Sequence, residues 1–310
     1  MRAPCSPPWQ RHIGWAACSW GSRADRVQAP RGDSTTRASW CATRLAIVTE
    51  ATSPSPDDLS DDHAFAAWAA DQAGEVLLQV RAESGLEGKE LKDAGDAAAQ
   101  ELLARLLAEH RPDDAVLSEE ATDDKARLDA SRVWIIDPLD GTREFSEPPR
   151  DDWAVHVALW EATADGGELT AGAVAQPALG ETFNTGAPSA IPPRTSERPR
   201  IAVSRTRPPA FVQALAAEID AELVPMGSAG VKVMSVVRDV ADAYVHAGGQ
   251  YQWDNAAPVA VARAAGLHCS RVDGSPLVYN EDDTSLPDLI VCRPELADQI
   301  IDFVKRHGTD

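Results

Sequence analysis

The sequence lacks the marks of several large protein classes. No run of about 18 apolar residues occurs, so we expect no transmembrane helix. The absence of a G-x-x-x-x-G-K-[ST] motif argues against a P-loop, and the absence of H-x-x-x-H spacing argues against a zinc site. Positive charge is also scarce, because 29 Lys and Arg face 49 Asp and Glu, a formal net charge of −20. An acidic chain repels nucleic acid polymers and anionic membranes, so we expect neither as a partner.

Cysteine is rare and follows no motif. The count is odd and no C-x-x-C spacing occurs, which predicts reduced thiols in a reducing compartment and hence a cytoplasmic protein. The hydrophobic content of 44 % over 310 residues is sufficient for a buried core. Two of the thiols fall on predicted apolar strands, where we expect them to be inert. The cysteines are Cys5, Cys18, Cys41, and, on those strands, Cys269 and Cys292.

Residues 1–56 differ in composition from everything that follows them. They hold seven Arg against three acids and show neither helical nor strand periodicity. We interpret them as translated upstream sequence or as a disordered extension. Because the segment is rich in Arg and poor in acids, a targeting segment is a third alternative.

The rest of the chain alternates patterns typical of helices and strands. Amphipathic helices are predicted at 60–82 and 97–110, with a polar turn at 91–96 between them. The Pro-rich stretch 187–199 is the best domain boundary, and strands and helices alternate again after it. The strands expected after the boundary include 241–246, and the helices include 253–265.

The chain is organised around a short motif in its middle. The apolar run 133–136 predicts a buried strand, which ends at Asp137 because a residue before proline is disfavoured in helical geometry. Asp140 and Gly141 then favour a sharp turn. Two carboxylates three positions apart suit a hard cation such as Mg²⁺, and the free N–H groups of the turn suit phosphate. Taken alone, such a turn is more often an acidic loop without chemistry.

Other acids lie at the ends of predicted elements. Glu119 follows a strand at 115–117, and Asp254 lies in the first turn of the helix at 253–265. Asp96 precedes the helix at 97–110, where an N-cap residue would stand. Because strand ends and helix starts gather on one rim of a sheet, we expect Glu119, Asp137, Asp140 and Asp254 to converge, as a two-metal phosphatase requires. The alternative is four unrelated surface acids.

Three segments, taken in this order, resemble the signatures of the inositol monophosphatase superfamily of lithium-sensitive, magnesium-dependent phosphomonoesterases. They are 118–120, 137–142 and 253–257, and the resemblance covers roughly 59–307. Within the superfamily the chain is most similar to the actinobacterial CysQ-type 3'(2'),5'-bisphosphate nucleotidases, through 133–145, 151–156 and 246–250. The resemblance implies an α+β or α/β layered sandwich with the order α/β/α/β/α, which is the sugar phosphatase fold.

The resemblance also implies a role for each matching residue in the binding of Mg²⁺. Glu119 and the carbonyl of Leu139 would bind a first ion, and Asp137 would bridge it to a second. Asp140 and Asp254 would complete the second site. Glu120 would help to place a third ion, so two or three Mg²⁺ are implied.

Catalytic and substrate-binding roles follow from the same resemblance. Thr142 and Glu119 would activate a water molecule, with Asp96 holding the Thr142 hydroxyl. The N–H groups of Gly141 and Thr142 would receive phosphate oxygens. Asp140 and Asp254 would also face the substrate, and Lys232 is either a substrate contact or a plain solvated lysine.

The implied function is removal of the 3'-phosphate of 3'-phosphoadenosine 5'-phosphate, giving AMP, in sulfur assimilation. The sulfated form of that nucleotide is a further substrate in the same chemistry. Residues 57–190 would form an α+β domain with most of the metal ligands, and 191–310 an α/β domain supplying Asp254 and substrate contacts. Inositol monophosphate or fructose 1,6-bisphosphate is the alternative main or side substrate, and a catalytically silent phosphate- or nucleotide-binding protein is the second alternative. Relatives suggest a homodimer.

Overall fold

A computed structural model describes residues 58–164, 166–194 and 196–309. The predictions for residues 1–56, including those for their three cysteines, lie outside the described residues. Within the described ranges, no helix is both long enough and apolar enough to cross a membrane.

The first half of the described chain forms a five-stranded sheet with two long helices. Its elements are α1 (Asp62–Glu83), α2 (Gly88–His110), β1 (Ala115–Ser118), β2 (Arg132–Asp140), α3 (Thr142–Phe145), β3 (Ala154–Glu161), β4 (Glu168–Gln176) and β5 (Glu181–Asn184). The strand order follows the chain, from β1 to β5. Strand β1 is parallel to β2, and the remaining pairs are antiparallel.

The second half forms another five-stranded sheet. Its elements are β6 (Arg200–Ser204), α4 (Ala210–Glu218), β7 (Glu222–Met226), α5 (Ala229–Val237), β8 (Ala243–Tyr251), α6 (Gln252–Ala264), β9 (His268–Ser270), β10 (Ser285–Cys292) and α7 (Ala297–His307). The strand order is β7-β6-β8-β10-β9. Strand β6 is parallel to both β7 and β8, so the carboxyl ends of these three strands share one edge of the sheet.

Three hydrophobic clusters fill the spaces between successive layers of helices and strands. Trp134 and Ile136 of β2 pack with α1 and α2, whereas Val133 and Ile135 point the other way, toward α5 and α6. Burial on both faces explains the unbroken apolar run of this strand. Helices α4 and α7 cover the outer face of the second sheet. The order is therefore α/β/α/β/α, and the predicted fold class is confirmed. The division into two domains remains a prediction.

The predicted polar turn at 91–96 is wrong, because α2 runs without interruption from Gly88 to His110. Leu91, Gly95 and Ala99 are buried at intervals of four residues, which places them on one face of a helix. The charged residues between them lie on the other faces, where Lys89 pairs with Asp93. Gly95 is needed for packing, since a Cβ there would lie 2.7 Å from the Phe145 ring.

Other element boundaries differ by a few residues from the sequence predictions. Helix α1 is capped by Asp61, whose side chain accepts a hydrogen bond from the Ala64 N–H at 2.8 Å, so the helix begins two residues after its predicted start at residue 60. Strand β2 continues to Asp140 instead of ending at Asp137. Strand β8 extends to Tyr251, five residues beyond its predicted end, which carries it to the start of α6.

Cys269 and Cys292 are free thiols in the described part of the chain. Cys292 is fully buried, and Cys269 packs against the cluster between the two sheets. Burial raises the pKa of Cys269 to about 12, so little thiolate forms at neutral pH. Both positions suit the inert core role that the sequence predicts.

Candidate active site

The central motif places two buried carboxylates at the end of β2. Asp137 is 1 % exposed, and its Oδ1 accepts a hydrogen bond from the Leu139 N–H at 3.0 Å. In a regular strand, residues three positions apart face opposite sides of the sheet. The pairing of β2 with β3 is irregular between Asp137 and Asp140, and the ligand atoms of both carboxylates lie within 4.8 Å of each other. The irregularity therefore turns both side chains toward one space.

His156 lies directly opposite Asp137 on β3 and completes this tight group. It is fully buried, with Nδ1 3.1 Å from the Trp253 carbonyl oxygen and Nε2 3.3 Å from Oδ2 of Asp140. A Cβ on Gly230 would lie 2.0 Å from Nε2, so the Gly230 backbone covers that nitrogen. Because one ring nitrogen is engaged and the other is covered, His156 positions Asp140 rather than offering a ligand atom to an ion.

Asp140 also ties β2 to the start of α5. Its carboxylate accepts hydrogen bonds from the Ser228 hydroxyl at 2.5 Å and from the N–H groups of Ala229 and Gly230 at 3.1 and 2.6 Å. Burial alone would raise the pKa of Asp140, but the nearby His156 imidazole and the hydrogen bonds from Ser228 and Gly230 lower it to about 2. Three donors leave one of about four lone-pair sites on this carboxylate, on Oδ1, for a cation.

Ser228 adopts a strained backbone in order to make these contacts. Its φ of +51° lies in the left-handed region, which a residue with a Cβ rarely adopts. Its hydroxyl caps α5 by accepting from the Val231 N–H at 3.0 Å while it donates to Asp140. Strain held by several hydrogen bonds is characteristic of functional sites.

The site carboxylates repel one another. The pKa of Asp137 is raised well above its ordinary value, chiefly by burial and to a smaller extent by the charges of Asp140, Glu119 and Asp254. Glu119 is exposed at the end of β1, yet desolvation by its neighbours and the charges of Asp254, Asp140 and Glu120 raise its pKa to about 7. The four predicted acids therefore share one electrostatic environment, although only Asp137 and Asp140 belong to the tight group within 4.8 Å.

Asp254 is held in the first turn of α6. Its Oδ2 accepts a hydrogen bond from the Tyr251 N–H at 2.6 Å, which fixes the side chain at the end of β8. Burial and the charge of Asp140 raise the pKa of Asp254 to about 6. The neighbouring Trp253 carbonyl contacts His156, so the start of α6 is attached to the same group of residues.

Asp96 does not cap a helix, contrary to the sequence prediction, because α2 begins eight residues earlier at Gly88. Burial and the charge of the exposed Glu120 raise the pKa of Asp96 to about 7, which places these two acids near each other. No hydrogen bond joins Asp96 to Thr142 within the described ranges. The predicted support of the Thr142 hydroxyl by Asp96 remains a prediction.

The turn after β2 approaches the second half of the molecule closely. Gly141 has a φ of +86°, and a Cβ there would lie 3.1 Å from the Cβ of Ser228 and 3.2 Å from the Asp152 carbonyl oxygen. Only glycine satisfies both requirements without strain. Thr142 begins the single helical turn α3, whose first N–H groups have no acceptor within the turn.

Lys232 is not the solvated lysine that the sequence left as an alternative. It is 7 % exposed, and its Nζ donates a hydrogen bond to the Ser228 carbonyl at 2.5 Å and lies 5.3 Å from the centre of the Tyr244 ring. Burial lowers the pKa of Lys232, opposed by the charges of Asp140 and other nearby acids. Its amino group is therefore close enough to the carboxylates to interact with their charges, and a contact with substrate remains a prediction.

The residues present fit a divalent cation. Oδ2 of Asp137 is buried and has no hydrogen-bond donor within the described part of the chain. A buried, unpaired carboxylate oxygen among other carboxylates is costly unless a cation compensates its charge. Oxygen donors from carboxylates and a carbonyl are those that Mg²⁺ prefers.

A comparison with family models agrees with this geometry. Residues 58–308 match the model of the inositol monophosphatase family. The chain belongs to the inositol monophosphatase family. The match spans nearly all of the described residues and confirms the resemblance that the three sequence segments indicate.

Individual members of this family are close in sequence or in fold. The chain is 54 % identical over 256 residues to the 3'-phosphoadenosine 5'-phosphate phosphatase of Mycobacterium bovis, covering 79 % of this chain and 95 % of the relative. It is 31 % identical over 204 residues to the 3'(2'),5'-bisphosphate nucleotidase CysQ of Escherichia coli K12, and this match covers 62 % of this chain and 81 % of the relative. Inositol monophosphatase II of Staphylococcus aureus MSSA476 matches with a TM-score of 0.66 at 21 % identity, over 79 % of this chain and 96 % of the other.

Sequence interpretation of this inositol monophosphatase family member missed His156 and Ser228 as parts of the site. Both act on Asp140, which lies 16 and 88 positions away in the chain. His156 did offer a signal, since it is the one imidazole within the apolar strand β3. A polar side chain inside a strand buried on both faces requires a partner.

We expect the metal-free protein to lose stability as the pH rises from about 4 to 7. The pKa values of Asp254, Glu119 and Asp96 are raised by folding to about 6, 7 and 7, so the folded state binds protons more tightly than the unfolded state. Their contribution is complete below the unfolded pKa values near 4 and is lost as the pH passes the folded values. The melting temperature in EDTA from pH 4.5 to 8 measures this loss.

The matched control is the double variant Glu119→Gln, Asp254→Asn, in which two of the three groups no longer titrate. Its melting temperature should change less over the same range. A wild-type protein whose stability is constant or rises toward pH 7.5 in EDTA would contradict the electrostatic description of the site.

Proposed function

We propose that this protein hydrolyses the 3'-phosphate of 3'-phosphoadenosine 5'-phosphate to give AMP and inorganic phosphate, in sulfur assimilation. The observation that carries the proposal is the 54 % identity to the Mycobacterium bovis phosphatase of that substrate across 95 % of its length. The sulfated form of the nucleotide carries the same 3'-phosphate and is a further substrate of the proposed reaction. The substrate is a small molecule, because a net charge of −20 opposes binding of nucleic acid polymers.

The family is metal-dependent, and the acids of the site would hold Mg²⁺. Glu119, Asp137 and the Leu139 carbonyl would hold one ion, with Asp137 shared with a second at Asp140 and Asp254. When bound, such ions supply an activated water and stabilise the leaving oxygen. Because three donors already occupy Asp140, we propose that it contributes one oxygen, Oδ1, and that His156 and Ser228 fix its direction. A third ion would lie near Glu120.

Glu119 is the proposed proton acceptor for the attacking water. Its carboxylate is open to solvent beside the other acids of the site, where a water molecule can reach it. Bound cations would favour the charged form of this carboxylate, which is the form that accepts a proton. The Thr142 hydroxyl, at the mouth of the same turn, would orient the water.

The turn after β2 would hold the phosphate that is cleaved. The N–H groups of Gly141 and Thr142 have no acceptor within the turn, and such groups bind phosphate oxygens well. Lys232 interacts electrostatically with Asp140 and Asp254, and its charge would attract the second phosphate of the substrate. Under this proposal, residues from both halves of the chain would bind the substrate.

The test is a comparison of three substrates in one phosphate-release assay with Mg²⁺. We expect kcat/KM for 3'-phosphoadenosine 5'-phosphate to exceed that for inositol 1-phosphate and fructose 1,6-bisphosphate by at least about tenfold, which corresponds to about 1.4 kcal/mol of added transition-state binding. AMP should be the nucleotide product. Equal or higher kcat/KM on inositol 1-phosphate would contradict the proposed substrate, and absence of phosphate release from all three would contradict the enzymatic function.

A further inference from the structure

A stacked aromatic pair with one exposed ring comes directly before the site residue Asp254 in the chain. The rings of Tyr251 and Trp253 are stacked, with centroids 4.9 Å apart and planes inclined by only 11°. Trp253 packs against the core between the two sheets, whereas Tyr251 is 46 % exposed. One face of the tyrosine ring is therefore covered by indole, and the side chain is otherwise open to solvent.

The backbone of both residues is attached to the site by hydrogen bonds. The Tyr251 N–H donates to Asp254, and the Trp253 carbonyl contacts His156, which in turn faces Asp140. These bonds hold the backbone of both residues beside the site, and the stacking contact orders the two rings against each other. An aromatic surface that is already ordered loses little conformational entropy when a ligand binds it.

The path of β8 carries Tyr251 from the edge of the second sheet to the start of α6. The carboxyl ends of β6, β7 and β8 share one edge of the second sheet, and α5 begins at that edge with the donors to Asp140. Beyond the edge, β8 continues to Tyr251 through Gly248 and Gly249, both exposed and with φ of +83° and +78°. A Cβ on either glycine would meet no atom within 4 Å, so the approach beside this segment is open.

Exposed large apolar side chains are ordinary on protein surfaces, and Tyr251 differs from the others. Within the described ranges, Leu78, Leu128, Val240 and Val278 are the other large hydrophobic residues that are exposed, and none of them lies within ten residues of a site carboxylate in the chain except Leu128. Leu128 is aliphatic and offers no π-face. Tyr251 alone among these five combines a coplanar partner with a direct backbone bond to a site acid.

We infer that Tyr251, backed by Trp253, is the subsite that receives the purine base of the substrate. A base would stack on the outer face of the tyrosine and extend the existing pair into a three-layer stack. A cyclitol such as inositol has no π-face and gains little from this surface, so the subsite would select nucleotides over sugar and cyclitol phosphates. The inference rests on the proposed function for its substrate class.

The experiment compares inhibition by AMP and by inorganic phosphate in the wild type and in Tyr251→Ala. The reaction followed is whichever of the three phosphate esters the wild type hydrolyses, so the measurement does not require the proposed substrate. We expect the inhibition constant of AMP to rise by about 5- to 100-fold in Tyr251→Ala, the range measured for loss of one base stack. The inhibition constant of phosphate should change less than twofold.

Tyr251→Phe is the matched control, because it keeps the ring and should bind AMP within about twofold of the wild type. If Tyr251→Ala does not fold, Tyr251→Leu keeps apolar bulk without a π-system, and the same loss of AMP affinity is expected. An AMP constant that is unchanged, or a phosphate constant that rises in parallel, would overturn the inference. A wild type that hydrolyses only inositol 1-phosphate would instead refute the proposed function.

Discussion

Asp137→Asn should lower kcat/KM by at least about 10³-fold, the largest loss expected from any single substitution in this protein. The amide keeps an oxygen that accepts the hydrogen bond from the Leu139 N–H. It loses the charge that faces Asp140, Glu119 and Asp254 and that would hold a cation. Phosphate release from 3'-phosphoadenosine 5'-phosphate at saturating Mg²⁺ measures the effect.

The same substitution should not destabilise the metal-free protein. Repulsion and burial raise the pKa of Asp137, so removal of its charge relieves an unfavourable interaction in the folded state. We expect the melting temperature in EDTA to be equal to or higher than that of the wild type. Asp298→Asn, on the exposed face of α7, changes the net charge equally and should leave activity unaffected. Activity of Asp137→Asn within tenfold of the wild type would refute its role.

Gly230→Ala should damage both stability and catalysis. The added Cβ would lie 2.0 Å from Nε2 and 2.8 Å from Cε1 of His156, which is fully buried within β3 and cannot move aside. Overpacking of this kind costs about 1–3 kcal/mol of unfolding free energy. Because Gly230 also donates to Asp140, displacement of α5 would misplace that carboxylate, and kcat/KM should fall about 100-fold. Urea unfolding and phosphate release measure the two effects.

A double-mutant cycle separates this steric conflict from a general loss of helix stability. His156→Ala removes the ring that the new methyl group would meet, and it has its own cost through loss of the contacts to Trp253 and Asp140. In the double variant we expect the two losses of unfolding free energy to sum to more than the observed loss. Strict additivity would show that the Gly230 backbone does not pack against His156.

The fold could be predicted where local pattern and tertiary environment agree. The apolar run of β2 and the helical stripe of α1 each identify their element without help from distant residues. The predictions fail at positions where contacts with residues distant in the chain determine the local backbone structure. The charged residues before Asp96 are typical of a turn, but the buried face that contains Gly95 continues α2 through them. The glycines of β8 are typical of the end of a strand, but pairing with β10 continues β8 to Tyr251.

The candidate site likewise contains residues that local pattern predicts and residues that it does not. Its acids were accessible to sequence reasoning because each one stands at the end of a strand or in the first turn of a helix. The groups that orient them were not, because the contact of His156 with Trp253 spans 97 positions and that of Ser228 with Asp140 spans 88. Such contacts depend on the packing of β3, α5 and α6 around β2, which no local pattern encodes.

The most direct test of the central claim is the position of Mn²⁺ in an anomalous difference map from crystals soaked with that ion. We expect one peak about 2.1 Å from Oδ2 of Asp137 with Glu119 among its ligands, and a second peak with Asp140 and Asp254 among its ligands. A map with no peak near Asp137, or with peaks only at carboxylates outside this group, would contradict the assignment of the site.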